Sequence, residues 1–322
     1  MNNIDWSKYR FRASQAHFLM VGTIGLTEVQ ENTLKTLLQR KIGYENGSTD
    51  ENGKVYKPLT EPMEADLKKY QLIKSENALP KTMESKLREI YRAEKYGRNF
   101  IFTNKFIVKG INEEDEAITL YQQYRTLKGI NSYFIKNKIR VENEWFSGEV
   151  DLTDTNDVYT CSEIFDTKCS WSLDTFPFKE DPLTEIYEVQ NQVYMDLLNV
   201  KKATTVYCLV NCSEQQLFNE KQKHFYALGM PSDAEHKNYD EYVEKCKEIE
   251  KMLIYDYDRF IDMYNPILEI SREEWFENGY NIPISERVIE KQSIFDQCKI
   301  DDLKNRITIA RNYLCKLQES DK

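Results

Sequence analysis

The stretch from Lys138 to Cys169 constrains this chain most, because there the apolar spacing changes from helical to period two and β-branched residues accumulate. Strands are expected at about 139–146, 148–153 and 158–169. In SGEVDLTDTNDVYTCSEIFDTKCS, the turn-forming residues from Thr153 to Asp157 let the chain fold back as a hairpin, which sets Asp151 beside Asp166. Side chains two apart on a strand share a face, so Asp166 and Lys168 project together, while Thr167 points away and leaves its carbonyl free.

Two carboxylates about 4 Å apart repel by roughly 1–4 kcal/mol, and a bound dication turns that repulsion into attraction. Mg²⁺ takes oxygen ligands and keeps several waters, so Asp151, Asp166, the Thr167 carbonyl and Glu114 from the preceding helix form a sufficient set, with Mn²⁺ able to substitute. Lys168 adds a positive charge that orients or deprotonates a water and balances a phosphate; a neighbouring dication lowers its pKa. Hydrolysis of a phosphodiester needs these functions. Asp-X-Lys alone often arises by chance as a surface ion pair. The weight comes from the ordered series Gly110…Glu114, Gly148-Glu149-Val150-Asp151, Asp166-Thr167-Lys168 and then Gln190 and Tyr194, one helical turn apart.

Around this centre, Ser7 to about Leu38 reads as helical, 44–62 as an exposed loop, and Lys81–Tyr96 and Glu113–Leu127 as helices. Pro182 precedes a helix at about 183–199 with Ile186, Val189, Val193 and Leu197 as its buried stripe, and a strand follows at Ala203–Val210. After Ser213 almost everything reads as helix, with breaks at Gly229-Met230-Pro231 and around Gly279 to Pro283. Helix, three strands, helix and strand make a mixed α/β arrangement.

With 322 residues, 40% of them apolar, the chain can bury a sizeable core as one large domain or a domain with appendages. No run of 18 or more apolar residues exists, and MNNIDWSKYRFRASQ lacks the features of a signal peptide, so a soluble cytoplasmic protein is expected, with no membrane partner. The seven cysteines are expected as free thiols. A net charge of −10 argues against wholesale nucleic-acid coating, yet NKFIVKG and TLKGINSYFIKNKIR are locally basic. His17, His224 and His236 sit in unrelated contexts and none reads as a general base; no Walker-type phosphate loop is present.

The ordered series resembles the PD-(D/E)XK nuclease superfamily, and within it the lambda-exonuclease or YqaJ-like viral recombinase branch related to RecB-type nuclease domains. KGINEEDEAITLY is similar to the first motif of that branch and places its role on Glu114; GEVDL is similar to the strand ending in the first metal Asp, Asp151; IFDTK is similar to the strand carrying Asp166 and Lys168. YEVQNQVYMDLL resembles the Gln-x-x-x-Tyr helix, which assigns Gln190 and Tyr194 to the scissile phosphate, and YRFRASQ is more loosely similar to an opening Arg/Ser segment, here Arg12 and Ser14. The resemblance covers about 98–211. It implies a restriction-endonuclease-like α/β fold, a mixed central sheet flanked by helices, with a helical N-terminal region (1–97), a nuclease core (98–212) and a helical C-terminal extension (213–322).

It further implies a Mg²⁺-dependent deoxyribonuclease of phage or prophage recombination type, acting in the cytoplasm of a bacterial host and digesting double-stranded DNA ends 5′ to 3′ for a single-strand annealing protein. Ring-shaped trimers occur in the branch, and Lys105, Lys109, Lys136 and Arg140 are then candidates for lining a DNA channel. The rivals are a structure- or site-specific endonuclease and a non-catalytic DNA-binding or interaction module on the same fold.

Overall fold

The computed structural model describes residues 4–99, 103–130, 134, 136–155, 157–229, 238–263 and 266–321. His236, the Met230-Pro231 break and positions 131–133 and 135 of the basic stretch lie outside the described residues. The fold is mixed α/β and forms two compact units, one of residues 1–9, 17–99 and 303–322, the other of 10–16 and 100–302.

In the second unit the chain first makes β1 (Phe11–Arg12). The first unit follows with α1 (His17–Met20), α2 (Glu28–Glu45), α3 (Glu61–Glu76) and α4 (Lys81–Tyr96). The continuous helix expected over Ser7–Leu38 is therefore broken: Phe11 and Arg12 are extended, and Gly22 and Gly25 adopt φ of 76° and 75°, which no helix accommodates. Helix α2 starts where Thr27 and Gln30 form a reciprocal capping box. Helix α3 stands where the sequence suggested no element, because Leu67 alone of its apolar residues is deeply buried and the stripe is faint. Helix α4 matches its expected span, burying Met83, Leu87, Ile90 and Tyr91 on one face and ending at Gly97 in the left-handed region.

The second unit continues with α5 (Lys105–Asn112), α6 (Glu114–Leu127), β2 (Val141–Glu142), β3 (Phe146–Gly148), β4 (Leu152–Thr153), β5 (Ile164–Cys169), α7 (Glu185–Leu198) and β6 (Lys202–Cys208). Then come α8 (Glu214–Ala227), α9 (Tyr239–Leu253), α10 (Tyr257–Ile261), α11 (Arg272–Glu277), β7 (Val288–Ile294) and α12 (Gln297–Ser320), whose residues from Leu303 belong to the first unit. Strands β1, β3 and β2 form a small sheet in that order, and β4-β5-β6-β7 form the main one, with β5 and β6 parallel and both outer pairings antiparallel.

Helix α6 packs Ala117, Leu120, Tyr121 and Tyr124 against Leu152, Phe165, Val206 and Cys208 of the sheet. Helix α7 buries Val189 through Met195, three consecutive amides included, while Ile186 of the expected stripe is 50% exposed. Strand β7 adds a strand to a C-terminal part expected to be almost entirely helical: its inward positions include Lys291 and Ser293, so it lacks apolar alternation. All seven cysteines are free, and among the described residues no helix is long and apolar enough to cross a membrane.

Candidate active site

Strand β5 carries the centre. Its antiparallel pairing with β4 sets Leu152 against Phe165, so Asp151, one residue before β4, arrives beside Asp166 as the hairpin required. Asp166 is 3% exposed, and its Oδ2 lies 2.5 Å from Lys168 Nζ without a directed hydrogen bond. Its Oδ1 accepts from Gln190 Nε2 at 3.4 Å; the same Nε2 donates to Tyr194 Oη at 3.0 Å, and Tyr194 Oη donates to the Glu149 carbonyl at 3.0 Å. This relay needs Gln190 and Tyr194 one turn apart on α7, the spacing that the sequence displays. A Cβ on Gly148 would stand 2.7 Å from Tyr194 Cε1, so glycine is what admits the ring.

Asp151 Oδ2 accepts from the Thr167 N–H at 2.7 Å and the Thr167 hydroxyl at 2.9 Å. Thr167 thus meets the site through its donors, where the sequence offered its carbonyl. Burial, and then the charge of Asp166, push Asp151 up to about 6 against the pull of Lys168 and the two Thr167 donors. For Lys168 burial alone lowers the pKa, but Asp166 and Asp151 outweigh it and the net shift is upward, so in the metal-free chain the side chain is an ammonium. The phenol of Tyr194 is raised by burial and by Asp166, which keeps it a hydrogen-bond donor.

Among the described residues no group of three or more Asp, Glu, His or Cys gathers for a metal. Two facing carboxylates that repel one another, one with an oxygen lacking a directed hydrogen bond, nevertheless fit Mg²⁺, which is held by one or two carboxylates together with waters and substrate oxygens. The carboxylate of Glu114 pairs with Lys136, 2.8 Å from its Nζ. The acidic run at the start of α6 divides: Glu113 is buried and raised by burial and by Glu116, whereas Glu114 turns to Lys136, next to Asn137, whose N–H donates to the Asp151 carbonyl at 2.8 Å.

No family model matches the chain, and no curated protein does. A phage-related exonuclease from Haemophilus somnus 129PT superposes with a TM-score of 0.54 at 19% identity, over 98% of this chain and 97% of that one. The two share a fold. An alkaline exonuclease, LHK-Exo, from Laribacter hongkongensis aligns more distantly, with a TM-score of 0.38 at 12% identity over 75% of this chain and 82% of that one.

The expected phosphate-contacting residues divide as well. Lys109 is wholly buried, its Nζ donating to the carbonyls of Trp171 at 3.0 Å and Val210 at 2.6 Å, which removes it from any DNA surface: it is a structural donor that the sequence made look basic and exposed. Lys105 lies 4.4 Å from the Trp171 ring centre and 3.6 Å from Glu220, and Lys136 is taken up by Glu114 and Asp115. Arg140, 3.6 Å from Glu149, is exposed, as are Arg12 on β1 and Ser14 just after it. Sequence reasoning missed Tyr187, whose ring centre lies 4.8 Å from Lys168 Nζ and which meets Tyr207 edge-on. Its signal was present: Tyr187, Gln190 and Tyr194 stand at i, i+3 and i+7 on one helical face.

Proposed function

We propose that this chain is a Mg²⁺-dependent DNA exonuclease of the PD-(D/E)XK type that digests double-stranded ends, 5′ to 3′, in phage-type recombination. The observation that supports it most is the convergence of Asp151, Asp166, Lys168, Gln190 and Tyr194 on one end of a sheet, in a fold shared with a phage-related exonuclease. Asp151 and Asp166 are the residues that would hold the metal, with Glu114 joining them once released from Lys136; bound there, the ion would supply an activated water and neutralise phosphate charge.

The remaining work falls to the chain's own groups. Lys168 holds a positive charge at the scissile phosphate, and its seat between Asp166 and the Tyr187 face keeps the ammonium pointed into the site. Gln190 offers amide hydrogens beside Asp166 and fixes the orientation of that carboxylate. Tyr194 braces Gln190 against the β3–β4 connection through the Glu149 carbonyl. The exposed Arg140, Arg12 and Ser14 are candidates for contacting the DNA backbone.

The test is a time course with Mg²⁺ on end-labelled linear duplex beside a closed circle. Release of label with the circle untouched, abolished by EDTA and by Asp166→Ala, is the expected result, and 5′ label leaving first fixes the direction. Nicking of the circle points instead to an endonuclease. Turnover equal to that of Asp166→Ala points to a non-catalytic module.

A further inference from the structure

Strand register places Asp166, Thr205 and Lys291 on one rung across β5, β6 and β7. Residues paired on adjacent strands direct their side chains to the same face. All three are held by one stretch of chain, α7 and the segment leading into it. Gln190 Nε2 reaches Asp166 at 3.4 Å, and Asn191 Nδ2 donates to Thr205 Oγ1 at 2.9 Å. Lys291 Nζ donates to the carbonyls of Phe178, Lys179 and Asp181 at 2.8, 2.6 and 2.5 Å. Asn191 Nδ2 also donates to Ser293 Oγ at 3.1 Å, two residues along β7, and Ser293 Oγ donates to Glu188 Oε2 at 2.5 Å.

Asn191, Thr205 and Ser293 are all essentially inaccessible, and Asn191 Oδ1 has no hydrogen-bond partner. A buried amide with one end unpaired costs stability that an apolar side chain would not, so its contribution is direction. Successive helix residues are turned by a fixed angle about the axis. Seating Asn191 between Thr205 and Ser293 therefore sets the rotation of α7, and that rotation brings Gln190 to Asp166 and Tyr194 to the Glu149 carbonyl.

We propose that Asn191, clasped by Thr205 on the rung of Asp166, is a positioning residue that acts on the reaction through Gln190. This rests on the nuclease reading above. In steady-state digestion of linear duplex, Asn191→Ala and the isosteric Thr205→Val should each lower kcat by about tenfold while KM stays within about twofold. In a Gln190→Ala background neither should lower kcat further, because the contact through which they act is already gone. Losses that multiply with Gln190→Ala, or a wild-type kcat in both single variants, overturn the proposal. If the wild-type chain leaves DNA intact, it is the nuclease reading that fails, and crystal structures of the two variants decide the geometry. Gln190 Nε2 displaced from Asp166 Oδ1 supports the positioning role; Gln190 in its original place refutes it.

Discussion

The ring of Tyr194 passes so close to Gly148 that a single methyl group there would stand 2.7 Å from Cε1. Tyr194 is buried and bonded to the Glu149 carbonyl, so it cannot swing aside. Gly148→Ala should cost about 1–3 kcal/mol, the usual range for overpacking, read by urea denaturation. Activity on linear duplex should fall with it, whereas Tyr194→Phe, which keeps the ring and loses the hydroxyl, should affect turnover more than stability.

Asp166 is buried and Lys168 half-buried against it, and removing one partner weakens the seat of the other. Asp166→Ala leaves the ammonium with Asp151 as its remaining carboxylate neighbour and should destabilise the fold by roughly 1–3 kcal/mol. Replacing both, as Asp166→Ala with Lys168→Met, should recover part of that loss. A double-mutant cycle by chemical denaturation measures the coupling, and strictly additive losses would sink the idea.

The raised carboxyl of Asp151 carries a signed pH dependence. Folded, it titrates at about 6; its ordinary value is 3.8, so between these the metal-free folded state holds a proton that the unfolded chain has released. Stability from this group is present below pH 3.8 and is lost as the pH rises towards 6. Asp151→Asn lacks the effect. Metal-free Asp151→Asn should match the wild type in acid and exceed it at neutral pH by on the order of 1–3 kcal/mol. Mg²⁺ should reverse the order by raising the wild-type Tm alone.

Lys109 and Arg140 should separate cleanly. Lys109→Met strands two backbone carbonyls and should cost about 2–5 kcal/mol in stability, with the salt dependence of DNA binding unchanged. Arg140→Ala should leave stability alone and reduce the slope of log affinity against log salt by about 0.9, one phosphate contact. Binding titrations at several salt concentrations, beside denaturation curves, check both.

Much of the site was legible because its parts are local patterns: Asp166 and Lys168 on one face of a strand, Gln190 and Tyr194 on one face of a helix, a hairpin bringing Asp151 back. What escaped depends on partners far away in the chain. Lys109 reads as basic surface until Trp171 and Val210 close over it, and β7 reads as helix-rich sequence because Lys291 and Ser293 occupy its inner face. The Thr167 N–H and hydroxyl carry no signature before Asp151 is placed against them.

The heptapeptide from Arg10 to Ala16 is folded into the second unit although the residues on either side of it are not. Phe11 and Arg12 pair in register with Phe146 and Ser147, and Ala13 touches the space that Gly148 leaves for Tyr194. A fragment begun near position 98 would shed that ribbon, bare one edge of β3 and open the floor beneath the tyrosine. The unit that carries the candidate site is thus discontinuous along the chain, and anyone wishing to excise it must splice the early ribbon back in or keep the intervening helices as its tether.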